Sequence, residues 1–371
     1  MTTTLSTADS STDPQRGLDK WIGSITERAT QEGMLSAILV PVASVLAALL
    51  VGAALIVFDG SNPFSVYGAI LRGVFTKPRG FSDTATAATP LILIAIGYAL
   101  AYRARVFTIG GEGQYLVGAV AGTALVTAAG FRDLPRPILI AAGLLAAIVA
   151  GAIWSGIAGW LGVRFGASIV ISTLMLGFIG DSVLQWAVRD GIRDPDSFIA
   201  NSRLLGDAEL PGLPGTTTHI GFLLALLVVP IAWWFVSRHR AGFRIDALGH
   251  NPAALDANEY PSSKIVIGVM LAAGALAGLA GMVEIAGVNG RLGQEASVGF
   301  GWDAIIVALL GRLHPVGVLI AGIGMAGLTI GFQSSQRELA LPSSLVSLIT
   351  ALIVIFVVFG DALATRMKER R

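Results

Sequence analysis

The sequence contains no cysteine and little charge. Without cysteine the chain can form no disulfide, thiolate metal site or cysteine nucleophile. Charged residues make up 13% of the 371 residues, whereas soluble domains carry about 25%. Apolar residues make up 54%, and the mean hydropathy is +0.74. These values are typical of integral membrane proteins. The net charge of +1 gives no overall field that would favour nucleic acid as a partner.

Signatures of enzyme chemistry are also missing. None of the four lysines, Lys20, Lys77, Lys264 and Lys368, is followed by Ser or Thr, so the chain lacks a Gly-x-x-x-x-Gly-Lys-[Ser/Thr] phosphate-binding loop. The four histidines show no metal-ligand spacing, and no Gly-x-Ser-x-Gly motif occurs. We therefore predict no catalytic residue, no metal site and no cofactor on this chain.

Long apolar runs follow one another with short polar breaks. They predict an all-α integral membrane protein, a polytopic bundle of about ten transmembrane helices. The eighth run is too short to cross a membrane alone, so we expect broken or re-entrant segments, and inverted repeats are a further arrangement that we consider. The runs cover residues 35–58, 86–102, 113–130, 138–163, 168–188, 219–237, 264–287, 302–311, 315–333 and 343–360.

Three regions differ in composition. Residues 1–34 are polar and rich in Ser and Thr, which predicts a disordered cytoplasmic tail. Residues 35–360 form the predicted transmembrane domain, and residues 361–371 form a basic tail. Basic clusters at 237–244 and 366–371 flank helix ends directly, which places both on the cytoplasmic side. With ten crossings, both termini are then cytoplasmic in a multi-pass protein of the cell membrane.

The segment "FTIGGEGQYLVGA" places Glu112 and Gln114 among three glycines, between two apolar runs. Ionisable residues at membrane depth are costly and usually face a pathway or a partner. Either these side chains hydrogen-bond a polar ligand in transit, or they cap and lock a broken helix pair. A second polar stretch of sequence, residues 284–303, offers Asn289, Gln294 and Asp303 near the predicted outer mouth.

The longest predicted inner loop, residues 238–263, contains a compact helix signature. Asn251 suits an N-cap, Pro252 suits the first helical position, and Pro261 prevents extension. This short helix indicates a docking element. We expect the small side chain of Ala254 to permit close approach of a partner, and Leu255 to be the apolar anchor.

Four segments resemble the signature segments of ABC-importer permeases of the branched-chain amino acid and simple-sugar superfamily. They are "FTIGGEGQYLVGA", "ISTLMLGFIGD", "ALGHNPAAL" and "ALLGRLHPVGVLIAGIGMAGL". The closest branch is the nucleoside and simple-sugar permeases that work with a lipoprotein of the basic membrane protein type. Family members often carry Asn-Glu-Val-Ile before Ser-Thr-Leu-Met-Leu, whereas this chain has residues 168–171, "SIVI".

The resemblance implies two permease subunits, identical or homologous, in the bilayer. It also implies two cytoplasmic ABC ATPases, which bind ATP and Mg and grip a coupling helix at about Asn251–Tyr260, and an external substrate-binding lipoprotein. Nucleosides are the first expected ligands, with ribose-like sugars as the alternative. From other classes, an ion-coupled secondary transporter would need paired ionisable groups within the membrane, and a membrane scaffold would need no pathway.

Overall fold

The computed structural model describes residues 46, 47, 49–257 and 260–339, together with residues 342, 344, 345, 348, 349, 351, 352, 355, 356 and 360. The chain divides into two compact units, residues 1–60 with 344–371, and residues 61–343. In the first unit, Leu49–Phe58 form helix α1. The predicted tails at 1–34 and 361–371 lie outside the described residues. All further description concerns the second unit.

Helices make up the regular structure of the second unit, and its described residues contain only isolated β-bridges beside them. The helices are α2 (Pro63–Leu71), α3 (Gly80–Arg103), α4 (Gly111–Thr127), α5 (Arg136–Phe165), α6 (Ile169–Trp186), α7 (Ile220–Arg238), α8 (Arg240–His250), α9 (Pro252–Ala257), α10 (Ser262–Glu284), α11 (Phe300–Leu310) and α12 (Pro315–Leu339). Single π-helical turns extend α2, α6 and α10 at their C-terminal ends.

Six helical stretches among the described residues are long and apolar enough to cross a membrane. This confirms an all-α, multi-pass membrane architecture, whereas the predicted number of about ten crossings stays a prediction. Two other apolar helices, α4 and α11, are shorter. The six stretches are Gly80–Arg103, Arg136–Phe165, Ile169–Gly191, Ile220–Arg238, Ser262–Asn289 and Pro315–Leu339.

Helix α10 lies at the centre of the bundle, in contact with α3, α4 and α5. The small residues of "LAAGALAGLAGM" allow this packing because they let helix backbones approach closely. A Cβ atom added at Gly278 would lie 2.2 Å from the carbonyl oxygen of Ala147 on α5, and a Cβ atom added at Gly118 on α4 would lie 2.3 Å from the Cα of Gly278. Gly278 therefore sits where three helix backbones converge.

This convergence gives a test of the packing. Gly278→Ala adds a methyl group against backbone atoms that cannot move aside, so we expect lower thermal stability and lower yield in detergent. Gly324→Ala on α12 is the matched control, because a Cβ there has no neighbour within 4 Å. Alanine has a helix propensity better by about 1 kcal/mol, so the control should keep or raise stability. Equal melting temperatures for both variants would contradict the packing.

Candidate functional site

Two helix N-termini meet at Glu112. The residue lies in the first turn of α4, which begins at Gly111, while α11 begins at Phe300. Its Oε1 accepts a hydrogen bond from the Gly299 N–H at 3.0 Å, and its Oε2 accepts one from the Gly301 N–H at 2.7 Å. The side chain is 8% exposed. One carboxylate of α4 therefore caps the distant helix α11.

The physical basis of this junction lies in the helix ends. The first N–H groups of a helix have no partner within it and carry a partial positive charge. Glu112 supplies negative charge and two acceptors at that place. A Cβ atom added at Gly301 would lie 2.1 Å from the Glu112 nitrogen, so only glycine permits the approach. Gly299 has φ of +89°, a conformation that also favours glycine.

The junction lies deep in the membrane-spanning bundle. Helix α11 has 11 residues, which corresponds to a length of about 16 Å, roughly half of a hydrocarbon core of about 30 Å. It leads from the Glu112 junction to the turn at residues 311–314, where Leu313 approaches Arg103. Backbone breaks at such depth occur only where they are buried in protein or line a cavity.

Two tyrosines on α3 hold the non-helical linker, residues 104–110, that precedes α4. The Gly111 N–H donates to Tyr98 Oη at 2.8 Å, and Tyr102 Oη donates to the Thr108 carbonyl at 2.7 Å. The two rings stack with centroids 5.5 Å apart. They give buried backbone groups of the break their partners. The sequence analysis missed both residues, although two tyrosines one turn apart in an aliphatic helix are a visible signal.

Beside the junction lies a group of side chains that we call the polar cluster, the buried Tyr115 and Glu284 and the half-buried Phe300. The rings of Tyr115 and Phe300 are 5.9 Å apart. Gly281, one turn before Glu284 on α10, lies against the backbone of Tyr115. Within the described part of the chain, Tyr115 Oη and Glu284 Oε2 are buried without a hydrogen-bond partner. These two polar groups are thus available to a ligand or to water.

The remaining predicted pathway residues divide into two groups. Gln114 is buried in α4, and Asp303 is half-buried in the first turn of α11, so both lie at the Glu112 junction. Asn289 and Gln294 are exposed in the segment that connects α10 to α11. The structure therefore brings three of the five predicted residues together and leaves Asn289 and Gln294 on the surface.

The long polar loop between α6 and α7 packs on that connecting segment. The Ser202 N–H donates to the Leu292 carbonyl at 2.8 Å, and the Leu292 N–H donates to Ser202 Oγ at 2.9 Å. At the end of the loop, His219 Nδ1 accepts from the Gly221 N–H at 3.1 Å and caps α7. Burial lowers the pKa of His219 to about 4, so the ring is neutral at physiological pH and keeps its acceptor.

The segment 238–263, which we call the coupling segment, contains two helices. Helix α9 starts at Pro252 after the extended residue Asn251, as the sequence predicts. Asp256 Oδ1 accepts from the Ser262 N–H at 2.9 Å, and Oδ2 pairs with Ser262 Oγ at 3.1 Å. Asp256 therefore ties α9 to the start of α10. The preceding helix α8 was not predicted.

Leu255 is largely buried in the structure. Its side chain is 7% exposed and belongs to a buried apolar cluster with Ile245, Leu248, Val106 and Met270. Its role as the apolar anchor for a partner stays a prediction, while within the chain Leu255 packs α9 against buried neighbours. The reason for this burial is that α8 folds back beneath α9 and supplies apolar neighbours. The side chain of Ala254 lies outside the described part of the structure.

Helix α8 is joined to the bundle through Arg103, the last residue of α3. Arg103 Nε and Nη2 each donate to one carboxylate oxygen of Asp246, both at 2.7 Å. Its Nη1 also donates to the Leu313 carbonyl at 3.4 Å. A bidentate arginine–carboxylate pair fixes both distance and orientation. Arg103 thus joins the coupling segment to two elements that lead to Glu112. One is the α3–α4 linker, and the other is the α11–α12 turn.

A cleft of about 1150 Å³ opens beside the coupling segment. Its lining is strongly basic, and the acidic residue in its described lining is Asp246, already paired with Arg103. The exposed ring of Phe243 adds an apolar contact surface. The cations in the lining are Arg103, Arg238, Arg240 and Arg244, with three histidines, His239, His250 and His314.

Comparison with known proteins identifies the family of this chain. Residues 80–358 match the family described as "Branched-chain amino acid transport system / permease component". The chain belongs to this permease family. The match includes the Glu112 junction, the polar cluster and the coupling segment, and it confirms the resemblance stated from the sequence motifs.

Individual relatives of this permease are transporter subunits. A glucose ABC transporter permease protein of Haloferax volcanii is 32% identical, over 94% of this chain and 90% of the relative. A guanosine ABC transporter permease protein of Bacillus subtilis is 32% identical, over 89% and 95%. A nucleoside ABC transporter permease protein of Lactococcus lactis is 30% identical, over 86% and 90%. This permease is thus similar over nearly its whole length to ABC transporter permeases.

The junction of this permease is tested by changing Glu112. Glu112→Ala leaves two backbone donors without their acceptor, so we expect a loss of about 3–6 kcal/mol in the free energy of unfolding, since bonds to charged groups are worth about 1.5–3 kcal/mol each. Glu112→Gln keeps one good acceptor and should lose less. The measurement is thermal unfolding in detergent.

Asp133→Ala on an exposed loop is the control for removal of a carboxylate. Its melting temperature should equal that of the wild type. A melting temperature for Glu112→Ala within error of the Asp133→Ala value would mean that the carboxylate does not hold α4 and α11 together.

Proposed function

We propose that this chain is one of two permease subunits of an ATP-driven importer that carries nucleosides. The observation that supports the transport path is the Glu112 junction, a backbone break at mid-depth next to buried polar groups without partners. The membership of the family and the likeness to guanosine and nucleoside permeases support the ligand class. The chain itself is not an enzyme, and ATP and Mg bind to a separate ATPase.

The polar cluster is the proposed substrate contact. The half-buried ring of Phe300 offers aromatic surface on which a flat base can stack, and Tyr115 Oη and Glu284 Oε2 can bind base or ribose groups. Buried polar groups that lack a partner favour a ligand that supplies one. Both carboxylate oxygens of Glu112 bind the N-terminus of α11. The sequence left two roles open, contact with a ligand or capping of a broken helix pair, and we assign Glu112 the capping role.

The proposed topology has about ten crossings, with both termini and the coupling segment in the cytoplasm. The basic lining of the cleft supports a cytoplasmic position of the coupling segment, because cytoplasmic loops carry an excess of Lys and Arg. An ABC ATPase docks in the cleft, where its acidic and apolar residues would meet Arg238, Arg240 and Phe243. A second permease subunit lies beside this chain in the bilayer, and an external lipoprotein delivers the ligand.

Sugars are the second candidate ligand. The glucose permease of Haloferax volcanii is as similar to this chain as the guanosine permease, both at 32% identity. A free sugar would use the hydrogen-bonding groups of the polar cluster and leave the aromatic surface with a smaller role. Competition between the two ligand classes therefore separates the candidates.

Uptake into vesicles that contain both permeases, the ATPase and the binding protein tests the proposed function. Radiolabelled guanosine should accumulate with ATP and should be displaced by other nucleosides more effectively than by glucose or ribose. Tyr115→Phe should lower uptake about tenfold at limiting ligand, which corresponds to one lost hydrogen bond, with unchanged protein yield. Glu284→Gln should also lower uptake.

Thr329→Val on α12 is the matched control, because its hydroxyl bonds within its own helix to Met325. Normal uptake in Tyr115→Phe and Glu284→Gln, with guanosine as ligand, would exclude the polar cluster as the contact. ATP-dependent uptake of glucose alone would replace the nucleoside proposal by the sugar alternative.

The Arg103–Asp246 pair is expected to transmit force from the ATPase. Asp246→Asn weakens the bidentate contact, so we expect the ATPase to copurify normally while uptake falls about tenfold. The exchanged pair Arg103→Asp with Asp246→Arg should regain part of the uptake. Glu338→Gln is the control, because it breaks the exposed pair with Arg72, and exposed pairs contribute about 0–1 kcal/mol. Full uptake in Asp246→Asn would contradict the assigned role.

A further inference from the structure

An apolar groove with two cations at one end runs along α10. It has a volume of about 260 Å³ and lies between α3, α7, α8 and α10. Leu100, Phe235 and Val269 are among its apolar lining, and Arg244 and Lys264 are its charged residues. The groove is therefore amphipathic along its length, with charge confined to the end where α10 begins.

The charged end lies at the level of a membrane interface. The last turns of α7 carry the exposed rings of Trp233 and Trp234 and end at Arg238. Aromatic and basic residues at a helix end mark the interface between hydrocarbon and water. Phe235 of the same turns lines the groove. From Lys264 to Ala272 the groove then follows α10 for about 12 Å toward the apolar interior.

The two cations are free of acidic partners within the described part of the chain. The Arg244 guanidinium lies 4.2 Å from the centroid of the Tyr260 ring. The ion pairs found among the described residues involve neither Arg244 nor Lys264. Two positive charges that have no acidic ion-pair partner among the described residues, at the mouth of an apolar groove, are complementary to an anionic headgroup attached to an acyl chain.

We propose that this groove binds a phospholipid with an anionic headgroup. The phosphate lies between Arg244 and Lys264, and one acyl chain follows α10 past Gly268. A Cβ atom added at Gly268 meets no other atom within 4 Å, so the groove is open there. Because Arg244 lies on α8, the helix that carries Asp246, the bound lipid also supports the coupling segment. The site is independent of the transported substrate.

Native mass spectrometry of the purified full chain, titrated with phosphatidylglycerol or phosphatidylcholine, tests the site. Phosphatidylglycerol should bind more tightly. Arg244→Gln and Lys264→Gln should each weaken its binding about fivefold, the effect of one cation near a membrane surface, and should leave phosphatidylcholine binding unchanged. Gly268→Leu should weaken binding of both lipids more than tenfold, because the side chain fills the groove.

Gly324→Leu on α12 is the control, because that position is equally open; it should bind both lipids as the wild type does. Equal binding of the two lipids, or unchanged binding in Gly268→Leu and Lys264→Gln, would overturn the proposal. Displacement of the lipid by inorganic phosphate would mean a simple anion site and would also overturn it.

Discussion

The structure depends on one carboxylate that holds two helix N-termini together inside the membrane. Without water to solvate them, the free N–H groups at the start of α11 must find acceptors in the protein. Glu112 provides both oxygens to Gly299 and Gly301, and the two helix dipoles stabilise its charge. The break in the backbone is therefore a satisfied, rigid joint. It lies beside the polar cluster and leaves neither Gly299 nor Gly301 without an acceptor.

The same joint lies at one end of a continuous path from the coupling segment. Arg103 connects α8 to the end of α3 and to Leu313, in the turn that follows α11. One branch passes through the linker to α4, and the other through α11, and both arrive at Glu112. A displacement of α8 would therefore act on both broken helices at once. In our proposal this is how an ATPase bound in the basic cleft alters the polar cluster.

Much of this arrangement was predictable from the sequence, because membrane spans and helix breaks have strong local signals. The length of the apolar runs predicted the helices, and glycines around Glu112 predicted the break. The partners of Glu112 were not predictable, because Gly299 and Gly301 donate through backbone groups nearly 190 residues away. The burial of Leu255 was not predictable for a similar reason: the pattern of α9 shows an apolar residue but not that α8 covers it.

The central claim is that Glu112 caps α11, and amide hydrogen exchange measures this most directly. In detergent-solubilised wild type, the amides of residues 299–303 should exchange slowly. In Glu112→Ala they should exchange at least tenfold faster, while amides of α10 around Gly278 stay protected. Equally slow exchange at residues 299–303 in both proteins would contradict the account, because the N-terminus of α11 would then have another source of protection.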